Sequence, residues 1–322
     1  MLPPNDQLTV CFAHVAYRLG DRFAARNTGI RFVEVRDRAG LDAAIGEADV
    51  LVCSGLWRND LPAIAPKLKF VQSASAGTDQ YDRAVFRAHG LRLASGQGVN
   101  ANAVSEHAIA LMLALLRRIP EARDNQAKRF WRGMMGDFAK REDEAGGKTA
   151  VVVGLGRIGG RIARLCKALG MQVVGVRRNV AGGAEGADEV HSFRDLKAVL
   201  PRADFLILAC PLTEDTRGLV DAAALALLKP TAQVINVARG RVVDEPAIIA
   251  ALQAGRIAGA ALDVTADEPL PQDSALWTMP NVLITPHTAG ETHMYEDNVL
   301  DVMMENIARL QRGEAALVNQ IV

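Results

Sequence analysis

The stretch "TAVVVGLGRIGGRIARLCKALG" limits what this chain can fold into more than any other. An apolar run ends at Gly154, Gly156 and Gly159, after which Ile158, Ile162, Leu165 and Leu169 recur at the spacing that gives a helix one apolar face. Strand, glycine turn and helix in direct succession aim the free N–H groups and dipole of a helix start at whatever lies over the turn. The first glycine permits the tight turn, the second lets a pyrophosphate approach the backbone, and the third lets helix and strand pack closely. Three glycines alone are weak evidence; with a strand before and a helix after, they predict a dinucleotide-binding α/β domain.

The same alternation runs along the rest of the chain. Before the glycines, "LTVCFAH", "RFVEV", "DVLVCSG", "LKFVQSA" and "LRLAS" are β-rich, with helical segments such as "GLDAAIGEA" and "YDRAVFRAHG" between them, so a first parallel α/β unit is expected. After them, "MQVVGV", "ADFLILAC", "AQVINVA", "GAALDV" and "NVLITP" join "KTAVVVG" as strands apolar throughout, the pattern of a parallel sheet covered on both faces. "NANAVSEHAIALMLALLRRIP" is apolar on nearly every face beyond Glu106 and His107, which predicts a buried helix between domains. Residues 121–147 are charged and weakly periodic, a surface excursion in which Trp131 and Phe138 belong either to a solvated loop or to a dimer contact. The amphipathic tail "DNVLDVMMENIARLQRG" is placed to pack back on the first unit. A chain of 322 residues accommodates two domains.

Charge and cysteines narrow the setting. With 37 basic and 37 acidic side chains, nothing marks a nucleic-acid partner. The four cysteines, Cys11, Cys53, Cys166 and Cys210, are widely separated, which suggests neither a metal site nor a disulfide framework and fits a reducing cytosol. "MLPPNDQ" lacks a signal pattern, and the longest apolar run, Ala108 to Leu116, is well short of the ~18 residues a membrane span needs. A soluble, cytoplasmic protein without a membrane partner is expected.

Parallel strands share a direction, so every C-terminal strand end of the second unit falls on the edge carrying the glycine turn, where ligands of open α/β sheets bind. Arg177 and Arg178, Cys210 and Pro211, Arg239, Asp263 with Glu268 beyond it, and His287 all follow strands. Taken singly, His287 can be a hydrogen-bonded loop histidine, Glu268 a solvated acid, and Arg239 the partner of a surface acid. Together on a cofactor edge they suit hydride transfer to a 2-oxo acid. Arginine's planar fork holds a carboxylate and polarises a carbonyl. Histidine, with an unperturbed pKa of about 6.5, supplies a proton near neutrality. A carboxylate behind it orients the ring and favours the imidazolium.

"VVVGLGRIGGRIA", "CPLTEDTRGLVD", "INVARGRVVDEPAI", "ALDVTADEPLP" and "LWTMPNVLITPHTAG", with "NANAVSEHAIALMLAL" before them, resemble the D-isomer-specific 2-hydroxyacid dehydrogenase family over nearly the whole chain. The resemblance implies a flavodoxin-like substrate domain (residues 1–99 and 290–322) and a Rossmann cofactor domain (residues 100–289), both doubly wound parallel sheets, with a cleft between them. It implies a catalytic trio of Arg239, Glu268 and His287, a homodimer, and Asp263 near the nicotinamide carboxamide. Cofactor contacts would come from Gly154, Gly156, Arg157, Ile158, Gly159, Arg177, Arg178, Cys210, Pro211, Thr216, Val237, Asp263 and Gly290. The substrate carboxylate would lie on the backbone at Ala76 and Gly77, with Asn100 nearby.

Two positions depart from the family's commonest pattern. Ser105 stands where alanine is usual before Glu106. Arg177 stands where members that use NAD carry an acid, 18 residues beyond Gly159, so NADP(H) is the expected cofactor with NAD(H) possible. The guanidinium groups of Arg177 and Arg178 either clamp a 2′-phosphate or stay solvated, one of them paired with an acid of "GAEGADE". Formate dehydrogenases of the family pair the histidine with glutamine, so Glu268 argues against that activity, and the likeness is strongest to reductases of glyoxylate, hydroxypyruvate and larger 2-oxo acids. The alternative is a binding protein of the same fold that senses NAD(P)(H) without turnover. The substrate's side chain would meet loops around "SGLWRND", where Trp57 either caps the substrate or packs.

Overall fold

The computed structural model describes residues 2–322, in two compact units: residues 2–100 with 291–322, and residues 101–290. In the first unit, strands β1 (Thr9–Ala13), β2 (Arg31–Val35), β3 (Val50–Cys53), β4 (Phe70–Ser73) and β5 (Arg92–Ala94) form one parallel sheet in the order β2-β1-β3-β4-β5. This is the flavodoxin-like order, whose direction of winding reverses between β1 and β3. Successive residues of a strand face opposite sides, and here both sides are covered. Val10 and Phe12 pack with Phe70 against Val299, Leu300, Met303 and Ile307 of the helix Tyr295–Gln311, whereas Cys11 and Ala13 pack with Leu41, Ile45 and Phe86. Phe12 and Phe70 are fully buried, and truncating either to alanine would cost about 3–5 kcal/mol. Trp57 packs: its ring lies 4.8 Å from Phe86 and 5.4 Å from Tyr81, and its Nε1 donates to Asn59 Oδ1 at 2.9 Å.

The second unit holds β6 (Thr149–Val153), β7 (Gln172–Val176), β8 (Glu189–His191), β9 (Phe205–Leu208), β10 (Gln233–Asn236), β11 (Gly259–Leu262) and β12 (Val282–Ile284). All pair in parallel in the order β8-β7-β6-β9-β10-β11-β12, the doubly wound arrangement of dinucleotide-binding domains, with its reversal between β6 and β9. Val151 and Val153 face one core layer with Leu225 and Ile248, while Ala150 and Val152 face the other with Met112 and Ile162. The helix Ala101–Leu116 covers this second face one-sidedly: Val104, Ala108, Leu111, Met112 and Leu116 are buried, but Ile109, Leu113 and Leu115 only in part. Its apolar surface is thus wider than the sheet and the helix Arg157–Ala168 can cover.

The charged segment that follows opens with a helix, Ile119–Ala127, that buries no side chain. Beyond it Phe130, Trp131, Met134 and Phe138 are exposed, Trp131 at 94%. All four cysteines are free and buried, and burial pushes the thiols of Cys11, Cys53 and Cys166 up to about 12 and that of Cys210 to about 11. Among the described residues no helix is long and apolar enough to cross a membrane.

Candidate functional site

The turn after β6 is built by what its glycines allow. Gly154 has φ +96°, and a Cβ there would lie 2.7 Å from the backbone of Cys210 at the end of β9. A Cβ on Gly159 would lie 1.7 Å from the carbonyl oxygen of Gly154, so helix and turn are in backbone contact. Gly156 differs: a Cβ there would meet nothing within 4 Å. It is the N-cap of the helix Arg157–Ala168 and brings no side chain to its N–H groups. Open space over an uncapped helix start at the sheet's reversal point fits a pyrophosphate.

Neighbouring strand ends hold the remaining expected cofactor residues. Arg177, directly after β7, donates from Nη1 to the carbonyls of Gly182 and Gly183, each at 2.8 Å, and its guanidinium lies against Gly182. Arg178 pairs with Asp215 at 3.2 Å and approaches Thr213 Oγ1 at 3.5 Å. Neither arginine meets an acid of "GAEGADE". Arg177 is held by backbone oxygens, and the acid beside Arg178 comes from the loop after β9. The Arg178–Asp215 pair is about two-thirds exposed on both sides, an arrangement worth little to stability. Cys210 and Val237 are buried, so only their backbone can face a ligand, while Pro211 is exposed. Thr216 is fully buried, its hydroxyl 2.6 Å from Pro211 O and accepting from Thr213 N at 2.8 Å, so it shapes this loop from within.

Three loops on the same edge carry the arginine, acid and histidine. His287 follows β12 in the left-handed region, φ 56°. Its Nδ1–H donates to Glu268 Oε2 at 2.7 Å, which leaves Nε2 as the outward nitrogen. Glu268 is steadied through Oε1, which accepts from Thr265 N at 3.2 Å. Arg239 follows β10, is exposed, and donates to Ala238 O at 2.7 Å. The next residue must be glycine: a Cβ on Gly240 would sit 1.9 Å from the carbonyl of Thr265, so the arginine's loop lies on the loop leading to Glu268.

Asp263 is 3% exposed, and its carboxylate organises the turn around His287. Oδ1 accepts from Thr285 Oγ1 at 2.6 Å, Thr288 N at 3.1 Å and Ala289 N at 3.2 Å, while its backbone oxygen accepts from His287 N at 2.8 Å. Gly290 directly follows this anchored turn. His107 Nε2, from the helix Ala101–Leu116, lies 3.0 Å from Thr285 Oγ1. Thr285, His107 and Asn236 join this edge beyond the residues expected there. Asn236 Nδ2 donates to Arg239 O at 3.2 Å and Oδ1 accepts from Ala238 N at 3.0 Å, bracing the arginine's loop. An asparagine closing an apolar strand run was the available signal, because a buried amide requires partners. Ser105 is also buried, its hydroxyl 2.5 Å from Ala101 O and 3.2 Å from Ile158 O, so it links two helices where alanine would leave none of this bonding.

In the first unit, the loop after β4 is fixed by its serines: Ser73 Oγ donates to Ser75 O at 2.9 Å and Ser75 Oγ to Gly77 O at 3.0 Å. Among the described residues the N–H groups of Ala76 and Gly77 find no acceptor, and the buried Asn100 Oδ1 has no hydrogen-bond partner.

Residues 109–289 match the family model described as D-isomer specific 2-hydroxyacid dehydrogenase, NAD binding domain. The chain belongs to the D-isomer-specific 2-hydroxyacid dehydrogenase family. It is 37% identical over 293 residues to D-3-phosphoglycerate dehydrogenase of Mycobacterium tuberculosis, covering 88% of this chain and 53% of that protein. The chain thus spans about half the length of these curated relatives. It is 36% identical over 262 residues to glyoxylate reductase of Pyrococcus furiosus, covering 78% of this chain and 75% of the other. Of solved structures, a D-isomer specific 2-hydroxyacid dehydrogenase family protein from Aeromonas salmonicida superposes with TM-score 0.84 at 29% identity, covering 98% of this chain and 99% of that one. The NADPH-dependent glyoxylate/hydroxypyruvate reductase of Sinorhizobium meliloti does so with TM-score 0.81 at 28% identity, covering 98% of each.

Proposed function

We propose that the protein is a 2-oxo acid reductase that moves a hydride between NADP(H) and a 2-oxo acid or its D-2-hydroxy acid, with glyoxylate, hydroxypyruvate or a related acid as substrate. The observation that carries this reading is the 2.7 Å contact between His287 Nδ1 and Glu268 Oε2 on the strand edge that also bears Arg239 and the glycine turn. When bound, the nicotinamide supplies the hydride. Arg239 would bind the oxo acid and polarise its carbonyl, because its planar fork suits both oxygens and stays charged. His287 Nε2 would donate the proton to the oxygen that becomes the hydroxyl. Glu268, holding the opposite nitrogen, would keep the ring oriented. The unbonded N–H groups of Ala76 and Gly77 and the unpartnered Asn100 oxygen support a role for that loop in holding the substrate carboxylate.

For the cofactor, the helix start at Gly156 would take the pyrophosphate, with Arg157, Ile158, Gly159 and the loop of Pro211 and Thr216 around it. Arg177 and Arg178, following β7, would meet a 2′-phosphate. The weak Arg178–Asp215 pair would yield to a phosphate, and Arg177, clamped through Nη1, would present the rest of its fork. The reading is tested by steady-state oxidation of NADPH and NADH with glyoxylate, hydroxypyruvate and larger 2-oxo acids. Turnover with a preference for NADPH is expected, and cofactor binding without turnover on any of them would favour the sensing protein instead.

The same reading includes a homodimer formed through the segment around Trp131. Phe130, Trp131, Met134 and Phe138 are exposed within nine residues of chain, more apolar side chain than an isolated surface loop usually presents. Light scattering of the parent and of Trp131→Lys checks it; a parent that is monomeric at assay concentration refutes it.

A further inference from the structure

The first unit carries a hydrogen-bond donor that none of the roles above uses. His14 directly follows β1, at the C-terminal edge of the sheet and beside the reversal between β1 and β3, where open α/β sheets bind ligands. Its Nδ1 accepts two backbone N–H bonds, from Ala16 at 3.1 Å and Tyr17 at 2.9 Å. A nitrogen that accepts carries no proton, so the neutral ring's hydrogen is on Nε2. Among the described residues that N–H has no acceptor. The ring is held along its Nδ1 edge and on one face. It stacks on Tyr17 at 4.2 Å, and Arg36 closes the same loop from outside by donating to Tyr17 O at 2.6 Å and Ala16 O at 3.3 Å. Burial, and then the nearby Arg36 guanidinium, hold its pKa below the ordinary value, with Glu296 opposing, so the ring remains a neutral donor.

A chain of contacts ties this histidine to the carboxylate loop. Tyr17 packs on Tyr295 at 4.6 Å, and Tyr295 Oη donates to Ala74 O at 2.7 Å, two residues before Ala76. Between β1 and β4 lies only β3, so the two strand ends are about 10 Å apart. Both ends open on one edge of the sheet, so a small oxo acid held by the Ala76 and Gly77 N–H groups can extend toward the imidazole.

Resting on the proposed 2-oxo acid reduction, the geometry points to His14 as a specificity residue whose Nε2–H binds a neutral acceptor, a hydroxyl above all, on the third carbon of the substrate. Glyoxylate has no third carbon and gains nothing from this donor. Hydroxypyruvate presents a hydroxyl where the size-matched 2-oxobutyrate presents a methyl, which leaves the N–H unpaired.

The experiment compares kcat/KM for these three acids in the parent, His14→Asn and His14→Phe. Asparagine keeps an acceptor for the backbone N–H groups, and phenylalanine keeps the stack on Tyr17, while both remove the Nε2 donor. The parent should prefer hydroxypyruvate to 2-oxobutyrate by about tenfold, the worth of one neutral hydrogen bond. Either variant should abolish that preference through KM, with glyoxylate kinetics and kcat little changed. An unaltered preference, or an equal loss on all three acids in both variants, overturns the assignment and leaves the reductase reading standing. A parent that reduces none of the three removes that reading, and this assignment with it.

Discussion

The Thr285 hydroxyl donates to Asp263 Oδ1 at 2.6 Å and joins the ends of two neighbouring strands, β11 and β12, directly behind His287. The same carboxylate accepts N–H groups from Thr288 and Ala289, and the Asp263 carbonyl accepts that of His287. A residue with φ 56° that is not glycine persists only where its surroundings hold it, and these four bonds do so.

Thr285→Val keeps the shape and removes the hydroxyl, leaving the buried carboxylate one donor short and His107 Nε2 with Asp263 Oδ1, 3.5 Å away, in place of the hydroxyl. We expect kcat to fall about 5–30-fold, corresponding to one or two kcal/mol of lost positioning, with KM for the cofactor little changed. A parent-like kcat would mean that the backbone bonds alone fix the turn.

His287→Ala should lower kcat for 2-oxo acid reduction by roughly 100-fold or more, the usual contribution of a positioned proton donor. Cofactor affinity, followed by quenching of tryptophan fluorescence, should be nearly unchanged. If kcat stays within a few-fold of the parent, the proton comes from elsewhere.

Glu268→Gln keeps a hydrogen-bonding group beside Nδ1 and removes its charge. If the carboxylate acts by holding the Nδ1 hydrogen and the ring's orientation, kcat should fall while KM for the cofactor stays near the parent's. Steady-state kinetics of the two proteins with saturating cofactor decide this; a parent-like kcat would uncouple Glu268 from the proton donor.

A Cβ on Gly182 would fall 2.6 Å from Arg177 Nη2, and the flexible side chain, not the backbone, would yield. Gly182→Ala should therefore displace the guanidinium and raise KM for NADPH about tenfold while leaving that for NADH unchanged, since a charged hydrogen bond is worth about 1.5–3 kcal/mol. Equal effects on the two cofactors would mean that Arg177 serves only the turn.

With thiols pushed up to about 11 and 12, Cys11, Cys53, Cys166 and Cys210 should be almost wholly protonated at pH 8 as well as shielded. The native protein should release no rapid thiolate colour with a disulfide reagent and give four equivalents once unfolded. Fast labelling of the native protein would contradict the packing around at least one of them.

Much of this arrangement was legible because parallel strands convert chain order into spatial order. Once "VVVGLG", "VVGV", "LILA", "INVA" and "ALDV" are strands of one direction, the residues after them share an edge, and Arg239, Glu268 and His287 follow without knowledge of any distance. What escaped was long-range pairing. Nothing local tells that Arg178 will meet Asp215 or that His107 will meet Thr285, because those contacts depend on how loops and helices lie across the sheet. Arg177 turned onto the Gly182 and Gly183 carbonyls because a glycine turn exposes backbone oxygens at that spot, a partner that neither a phosphate clamp nor an acid of "GAEGADE" anticipates. The helix Ile119–Ala127 was hidden because it buries nothing and so has no apolar period to detect.

The anchoring of His287 to strand ends makes the intervening chain dispensable as a source of precision. Between Glu268 and β12 the chain runs out through Pro271, Gln272 and Asp273, all exposed, before Leu276 returns to the core. A residue inserted at this outer point would lengthen a solvent-facing excursion while the Asp263 bonds kept the imidazole in place. Lengthening is therefore tolerable there, whereas a single insertion between Asp263 and Glu268, inside the frame that the acid shares with the histidine, would separate the pair.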